Sequence, residues 1–296
     1  MKKNKDLILA GAFFGAFLIF TILVAMVDRN AIGPNGSIVG LSSMNKWFAD
    51  IIGCNMMLYK VTDWVSILAV VTAVIYAVIG IMQWIKRKKL AKVDSSILIL
   101  GVFYIAIFVI YVMFNHVVLN YRPVLINGNL EPSFPSSTTL MSITFLMFSN
   151  YQSDRFLKNK NLKLTAKISS TLLMLFLVIG RVISGVHWLS DIIASVLLSL
   201  AIVFLYYYLC KVFEEKKSKK TVLTDGESNE NPINEANEND NNQAELNKYQ
   251  MNFIKTKNSI VQDAIFLMIN ILKFLQIKGK ALGFNILQND KNSSSW

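Results

Sequence analysis

Two short polar segments interrupt long apolar runs in this sequence, and their residue types suit phosphate chemistry. The first comprises residues 120–123 together with the hydroxyl-rich stretch 136–138, and the second comprises residues 180–191. Each contains an arginine, and the second also contains His187. A membrane helix bundle does not need such residues in order to bury apolar surface. They are therefore the candidates for a chemical function.

The second segment combines a histidine, a carboxylate and an arginine. His187 and Asp191 are four residues apart, so they share a face if one helix includes both. A carboxylate that accepts the ring N–H fixes the tautomer, and an imidazole oriented in this way is a nucleophile or a general base. Arg181 offers a planar fork of donors that suits phosphate. The segment predicts catalytic roles for His187 and Asp191 and phosphate binding by Arg181.

The first segment supplies further groups for binding an anion. Arg122 is a second fork of donors, while Ser136, Ser137 and Thr138 lie where an apolar helix begins. Their hydroxyls and the free backbone N–H groups of a first helical turn form a typical anion site. Taken singly, the arginines could be interfacial anchors and the hydroxyls a plain helix cap. Taken together on one side of a membrane, these residues predict a phosphate site with a nucleophile.

The elements that position these residues are membrane helices. The chain has 296 residues, of which 53% are hydrophobic and only 17% charged, with a mean hydropathy of +0.44. A soluble chain would carry roughly a quarter charged residues. The apolar residues fall in blocks of about 20, which suffices to cross the hydrocarbon core as a helix. The sequence excludes a soluble enzyme and predicts an all-α, six-span bundle, with spans at 7–27, 65–85, 95–118, 137–151, 166–186 and 191–213.

The distribution of basic residues predicts the orientation of the chain. The N-terminal tail, residues 86–92, 155–167 and 211–220 hold 18 Lys and Arg, whereas the alternate loops hold five. Basic residues collect in cytoplasmic loops, so both termini are predicted in the cytoplasm and the polar segments outside. The net charge of +11 has the same explanation, and no nucleic-acid partner is expected.

Three further segments flank or connect these spans. The outer loop 28–64 contains aromatic residues and methionines that predict short interfacial helices, which either line a lipid entrance or anchor the loop. The chain divides into a membrane domain at 1–220, a disordered Asn/Glu-rich linker at 221–250 and an amphipathic helical tail at 251–296. The tail is expected on the cytoplasmic membrane surface and not as a seventh span, because burying Asp263 and Lys273 in lipid is costly.

The two polar segments resemble the type 2 phosphatidic acid phosphatase superfamily of integral-membrane lipid phosphatases. Arg122-Pro123 matches the end of the first signature block of that family, and Pro135-Ser136 matches half of the second. The third block, Ser-Arg, five residues, His, three residues and Asp, is matched at its spacing by Arg181, His187 and Asp191. The resemblance covers residues 7–213.

This resemblance implies a metal-independent hydrolase without a cofactor. By resemblance, His187 attacks phosphorus and forms a phosphohistidine, Asp191 orients it, and Arg122, Arg181 and Ser136 hold the phosphoryl oxygens. No metal site is predicted, since the only other histidine is His116.

The sequence also departs from the family at three positions. Asn115 replaces a lysine, Gly180 replaces a serine, and Thr138 replaces the histidine that protonates the leaving group. Threonine is no general acid near neutral pH. Three explanations are open: the protein is inactive, another group such as His116 supplies the proton, or the leaving group needs little help.

The third explanation favours a polyprenyl diphosphate as substrate. The pKa of a departing phosphate is roughly 6–7 by analogy with phosphomonoesters, far below that of the alcohol formed from a departing alkoxide. The predicted function is a membrane lipid phosphatase that acts on a lipid phosphate or diphosphate at the extracytoplasmic face. The predicted partners are a phosphorylated lipid and the bilayer. The alternatives are an inactive relative that binds phosphorylated lipid or a protein, and a transporter or scaffold.

Overall fold

The described chain is built from α-helices joined by loops, the longest of which connects α4 and α5. The structure is a computed structural model that describes residues 5–226, with side chains up to Lys216. Within this range there are isolated β-bridges but no strands. The helices are α1 (Lys5–Met26), α2 (Ser42–Ile52), α3 (Met56–Arg87), α4 (Ser95–His116), α5 (Ser137–Phe156), α6 (Lys160–Ser184) and α7 (Leu189–Gly226).

The predicted all-α membrane fold is confirmed. Four helices (α1, α3, α4 and α6) and residues 189–216 of α7 are long and apolar enough to cross a membrane. The chain is thus a multi-pass membrane protein. α5 occupies the predicted fourth span, but it is the most polar of the long helices and is largely buried between its neighbours. The number of six spans stays a prediction.

The core of the bundle forms where α4, α5 and α7 meet. Phe148 of α5 packs against Tyr206 of α7, with ring centroids 4.4 Å apart, and Phe103 of α4 contacts both rings. Gln152 is fully buried and donates to the hydroxyl of Tyr206 at 2.6 Å. A buried amide needs such partners, since an unpaired one costs about 1–3 kcal/mol.

The loop between α1 and α3 differs from the sequence prediction in where its helices lie. α2 is a short helix as expected, and it buries Asn45 and Phe48 within the protein. α3 begins at Met56, well before the predicted span at 65–85, because Asn55 caps it by accepting the backbone N–H of Leu58. Hydropathy placed the start later, since Lys60 and Asp63 interrupt the apolar residues in the first turns of α3. A helical turn that carries Tyr59 and Asp63 thereby joins the site.

The end of α6 is held by a turn that requires glycine. Gly185 has a φ of +64°, and a Cβ there would lie 1.8 Å from the carbonyl oxygen of Gly53. The backbone N–H of Asn55 donates to the carbonyl of Ser184 across the same contact. The close approach fixes the α6–α7 turn against the α2–α3 loop.

The long helices alternate in direction along the chain, so both polar segments lie at one end of the bundle. The predicted cytoplasmic loops lie at the opposite end, where α5 and α7 are joined by the ion pair of Arg155 with Glu214. Residues 1–215 form one compact unit and residues 216–296 a second, of which the continuation of α7 to Gly226 is described. The rest of the predicted linker and the predicted tail helix lie outside the described residues.

Candidate active site

The fold brings the predicted site residues of both polar segments together. Arg181 lies in the last turn of α6, His187 in the turn between α6 and α7, and Asp191 in the first turn of α7. Arg122 lies in the loop between α4 and α5, and residues 136–138 form the start of α5. The contacts between these groups indicate which of them can act as a nucleophile and which can bind a phosphate.

His187 is buried, and its contacts indicate which ring nitrogen carries the proton and which carries the lone pair. Nε2 lies 3.2 Å from Nη1 of Arg122. A guanidinium only donates, so Nε2 is the acceptor and the proton belongs on Nδ1. Nδ1 lies 3.7 Å from Oδ2 of Asp191, too far for a hydrogen bond. The lone pair of Nε2 therefore points toward a guanidinium, where a phosphoryl group would bind.

Asp191 is held by backbone and amide donors. α7 begins at Leu189 and does not include His187, so the two residues do not share a helical face. Oδ2 of Asp191 accepts the backbone N–H of Trp188 at 3.0 Å, as in a capping box. Oδ1 accepts the side-chain amide of Asn120 at 3.2 Å. The carboxylate is thus fixed beside the imidazole from the opposite side to Arg122.

Burial lowers the pKa of His187 from 6.5 to about 4, and Arg122 acts in the same direction while Asp191 opposes the shift. We expect a neutral ring throughout the neutral pH range. The ring takes up a proton, and Nε2 loses its lone pair, only as the pH falls through about 4. A proton NMR titration of the ring C–H signals measures this directly, because the chain has two histidines and His116→Ala assigns the other. A midpoint near 6.5 for His187 would contradict the prediction.

Arg181 is almost completely buried and only partly satisfied. Its Nη2 donates to Oδ1 of Asp63 at 2.6 Å and to the hydroxyl of Thr138 at 2.9 Å. Its guanidinium lies over the ring of Tyr59, 4.8 Å from the centroid, a cation–π contact. Nε and Nη1 have no hydrogen-bond partner among the described residues. These three N–H groups are available to an anion.

Arg122 forms the other wall of the site. Its Nε lies 3.1 Å from Oε2 of Glu131, and its guanidinium lies 5.7 Å from the ring centroid of Tyr59. Both arginines therefore rest on one aromatic ring. Two cations held this close repel each other, so an anion between them would be stabilised.

The start of α5 contacts both sides of the site. Ser136 is fully buried, its hydroxyl pairs with Thr139, and its backbone N–H donates to the carbonyl of Asp191 at 3.2 Å. Its hydroxyl is thus paired within the first turn of α5 and does not face open space, while its backbone N–H joins α5 to α7. Ser137 borders a cavity, and Thr138 accepts from Arg181. Of the three predicted hydroxyl residues, Ser137 is placed to reach a phosphate next to the nucleophile.

The cavity beside the nucleophile has a volume of about 30 Å³ and is bordered by His187, Arg122 and Ser137. Asn115, which replaces the lysine of the family, also lines it. Its apolar wall consists of Ile110, Phe114 and Leu140. His116 is exposed and donates to the carbonyl of Val112 on its own helix, so it does not face this cavity.

Sequence analysis missed the residues that come from α2 and α3. Tyr59 and Asp63 are spaced like neighbours on a helix face, and this spacing, together with Asn55 as a cap, was the signal that could have found them. Asn45 of α2 accepts the backbone N–H of Ser190 at 3.0 Å and holds the start of α7. No cluster of three His, Cys, Asp or Glu that could bind a metal occurs in the described part of the chain.

Part of the chain matches a known protein family. The family described as the PAP2 superfamily matches residues 98–214. These residues are a PAP2 superfamily segment. The predicted family is therefore confirmed, and it supports a phosphatase that acts on lipid. The PAP2 segment contains every site residue predicted from the sequence, whereas Tyr59 and Asp63 precede it.

One solved structure is similar to the chain, described as the first transmembrane PAP2 type phosphatidylglycerolphosphate phosphatase from Bacillus subtilis. It has 20% sequence identity and a TM-score of 0.48, and the match covers 70% of this chain and 96% of that chain. A comparison with curated proteins found no match.

Proposed function

We propose that this PAP2 protein hydrolyses a phosphate from a lipid phosphate or a lipid diphosphate at the extracytoplasmic face, with His187 as the nucleophile. The observation that carries the proposal is the neutral Nε2 of His187 next to Arg122, with unpartnered donors of Arg181 in the same site. A nucleophile beside donors preorganised for an oxyanion is what phosphoryl transfer requires.

In the proposed reaction, Nε2 of His187 attacks phosphorus, the bond to the leaving oxygen breaks, and a phosphohistidine forms. Arg122 and Arg181 stabilise the charge on the phosphoryl oxygens, so the proposed reaction uses no metal. Asp191 stabilises the ring while it carries positive charge. Water then attacks phosphorus, the N–P bond breaks, and inorganic phosphate leaves.

The proposed side of the membrane follows from the charge pattern. The basic loops lie at the end of the bundle opposite to the site, and such loops are retained in the cytoplasm. Both termini would then be cytoplasmic.

The proposed substrate preference rests on Thr138. Its hydroxyl accepts from Arg181, and it cannot protonate a departing alkoxide. General acid catalysis typically raises the reaction rate 10²–10⁴-fold, and the departure of a phosphate depends on it less than the departure of an alkoxide does. We therefore propose a polyprenyl diphosphate as the favoured substrate.

Phosphate release by the purified full-length protein tests this proposal. With chelator present, we expect release from a polyprenyl diphosphate to be faster than from phosphatidic acid by at least about 10²-fold, the low end of the contribution that a general acid makes to the rate. Faster release from phosphatidic acid than from any lipid diphosphate would contradict the preference.

A second candidate function is the binding of a phosphorylated lipid without turnover, which the loss of the histidine at Thr138 favours. It predicts no phosphate release from either lipid. It also predicts retention on vesicles that contain phosphatidic acid, and loss of retention when Arg122 and Arg181 are both replaced by Gln.

A further inference from the structure

A second cavity opens on the apolar surface of the bundle, between α3 and α4, and we call it the α3–α4 groove. It has a volume of about 210 Å³ and is bordered by Ile81 and Trp84 of α3, by Leu98 and Gly101 of α4, and by Leu90 of the connecting loop. None of the residues that border it is charged. Because α3 begins at the active site and α4 ends toward it, the groove lies at the opposite end of the bundle.

Two glycines shape the α3–α4 groove. α3 and α4 touch at Gly80, where a Cβ would lie 2.8 Å from Cγ2 of Ile97. Gly101 follows Ile97 by four residues, so it lies on the same face of α4. A Cβ at Gly101 would have no atom within 4 Å. The helices are therefore in contact at one glycine and leave open space at the other.

Contacts with α5 hold the tyrosines of the groove in place. The hydroxyl of Tyr76 donates to the carbonyl of Ser149 at 3.2 Å. The ring of Tyr104 packs edge-on against Phe145, with centroids 4.9 Å apart. Because both side chains are engaged with α5, neither is free to swing out and fill the space between α3 and α4. The groove is thus a preformed apolar space.

The loop that borders the groove is strongly basic. Residues 86–94 contain five Lys and Arg and a single acid, Asp94. Oδ1 of Asp94 pairs with Nη1 of Arg87 at 2.8 Å. Lys89 and Lys92 each directly precede a residue that borders the groove, and both are exposed without an ion-pair partner in the described part of the chain. Cations that attract an anion therefore lie beside an apolar space.

We propose that the α3–α4 groove binds an anionic phospholipid, with one acyl chain in the groove and the phosphate at Lys89 and Lys92. An uncharged groove suits hydrocarbon, and basic residues next to a membrane surface favour anionic over zwitterionic headgroups. Trp84 is half exposed beside the groove, and tryptophan is enriched at the headgroup level. This lipid is a bound ligand and not the substrate, because His187 lies at the other end of the bundle. The inference is independent of the proposed catalytic function.

Trp84 provides a probe that reports on the groove itself. Full-length protein is placed in vesicles of equal parts phosphatidylglycerol and phosphatidylcholine, with bromine on the acyl chains of either the one lipid or the other. Bromine quenches tryptophan on contact, and subtraction of the signal of Trp84→Phe isolates the Trp84 fluorescence. We expect phosphatidylglycerol to be preferred at least about fivefold, which corresponds to about 1 kcal/mol for one lysine. Equal quenching by the two lipids overturns the proposal.

Removal of the two lysines tests the headgroup contact, with each variant measured with and without Trp84→Phe. The double variant Lys89→Gln, Lys92→Gln is expected to lower the preference for phosphatidylglycerol to below about twofold. Lys158→Gln with Lys160→Gln is the matched control, because both are exposed in the other basic loop at this end of the bundle. The control should keep the preference. A preference that survives the loss of Lys89 and Lys92 overturns the proposal.

Filling the groove tests the contact with the acyl chain. Gly101→Leu places a side chain in the open space, and leucine is a good helix former, so α4 is retained. We expect the preference to fall as in the lysine variant, since the chain can no longer enter. Gly11→Leu in α1 is the matched control, because a Cβ there also has no atom within 4 Å. An unchanged preference in Gly101→Leu would show that charge alone collects the lipid, which overturns the groove as its site.

Discussion

Replacement of His187 by alanine is expected to abolish phosphate release, with a loss of at least about 10⁴-fold in kcat. The imidazole provides the one neutral nitrogen lone pair that contacts Arg122 within the described site. Alanine removes that lone pair and leaves no ring nitrogen beside Arg122. The measurement is phosphate release from a polyprenyl diphosphate by wild-type and variant proteins at equal concentration.

The same variant tests the covalent intermediate. Wild-type protein mixed with labelled lipid diphosphate and quenched in base should retain label, since a phosphohistidine is hydrolysed by acid but survives alkali. His187→Ala should retain none. His116→Ala is the matched control, because His116 is exposed and contacts only its own helix in the described structure. Residual turnover of His187→Ala within tenfold of wild type would rule out the nucleophile assignment.

Replacement of Arg181 by lysine is expected to lower kcat/KM by about 10²–10³-fold. The guanidinium donates from Nη2 to Asp63 and Thr138 and keeps three N–H groups for a phosphate. A lysine ammonium is a compact point charge without the planar fork, so it cannot present donors to Asp63, Thr138 and a phosphoryl group in the same geometry. Charge-assisted hydrogen bonds contribute about 1.5–3 kcal/mol each, and the loss of two at the low end of this range accounts for the expected decrease.

Arg29→Lys is the matched control for this substitution. Arg29 is exposed, lies just beyond the end of α1 and donates to the backbone carbonyl of Ala25, so lysine should be neutral there. The thermal midpoint in detergent should change little for Arg181→Lys, because lysine can retain the ion pair with Asp63. A kcat/KM within threefold of wild type would show that the fork of Arg181 does not hold the phosphate.

Local features of the sequence determined the fold class and most of the site. Membrane helices are visible in single runs of about 20 apolar residues, so composition alone predicted six spans, and five described helices are long and apolar enough to cross a membrane. Arg181, His187 and Asp191 lie within one turn-connected segment, so their spacing predicted their proximity without any knowledge of packing. Arg122 and the start of α5 were placed at the same end because helix directions alternate.

The tertiary structure decided which groups touch one another. The orientation of His187 depends on Arg122, 65 residues away, and the position of Asp191 depends on Asn120, 71 residues away. Asp63 meets Arg181 across 118 residues of sequence. Apolar periodicity carries no information about such pairs, because they are set by the distance between packed helix axes and by small residues at the contact.

The contact of α3 with α6 illustrates this difference most clearly. The sequence determined that both are membrane helices, since each satisfies its own backbone hydrogen bonds in an apolar run. Only the packed structure decided that Gly180 lets Thr62 approach and thereby carries Asp63 to Arg181. The absence of a side chain at one glycine has no local signature, yet it sets the separation of two helices and the composition of the site.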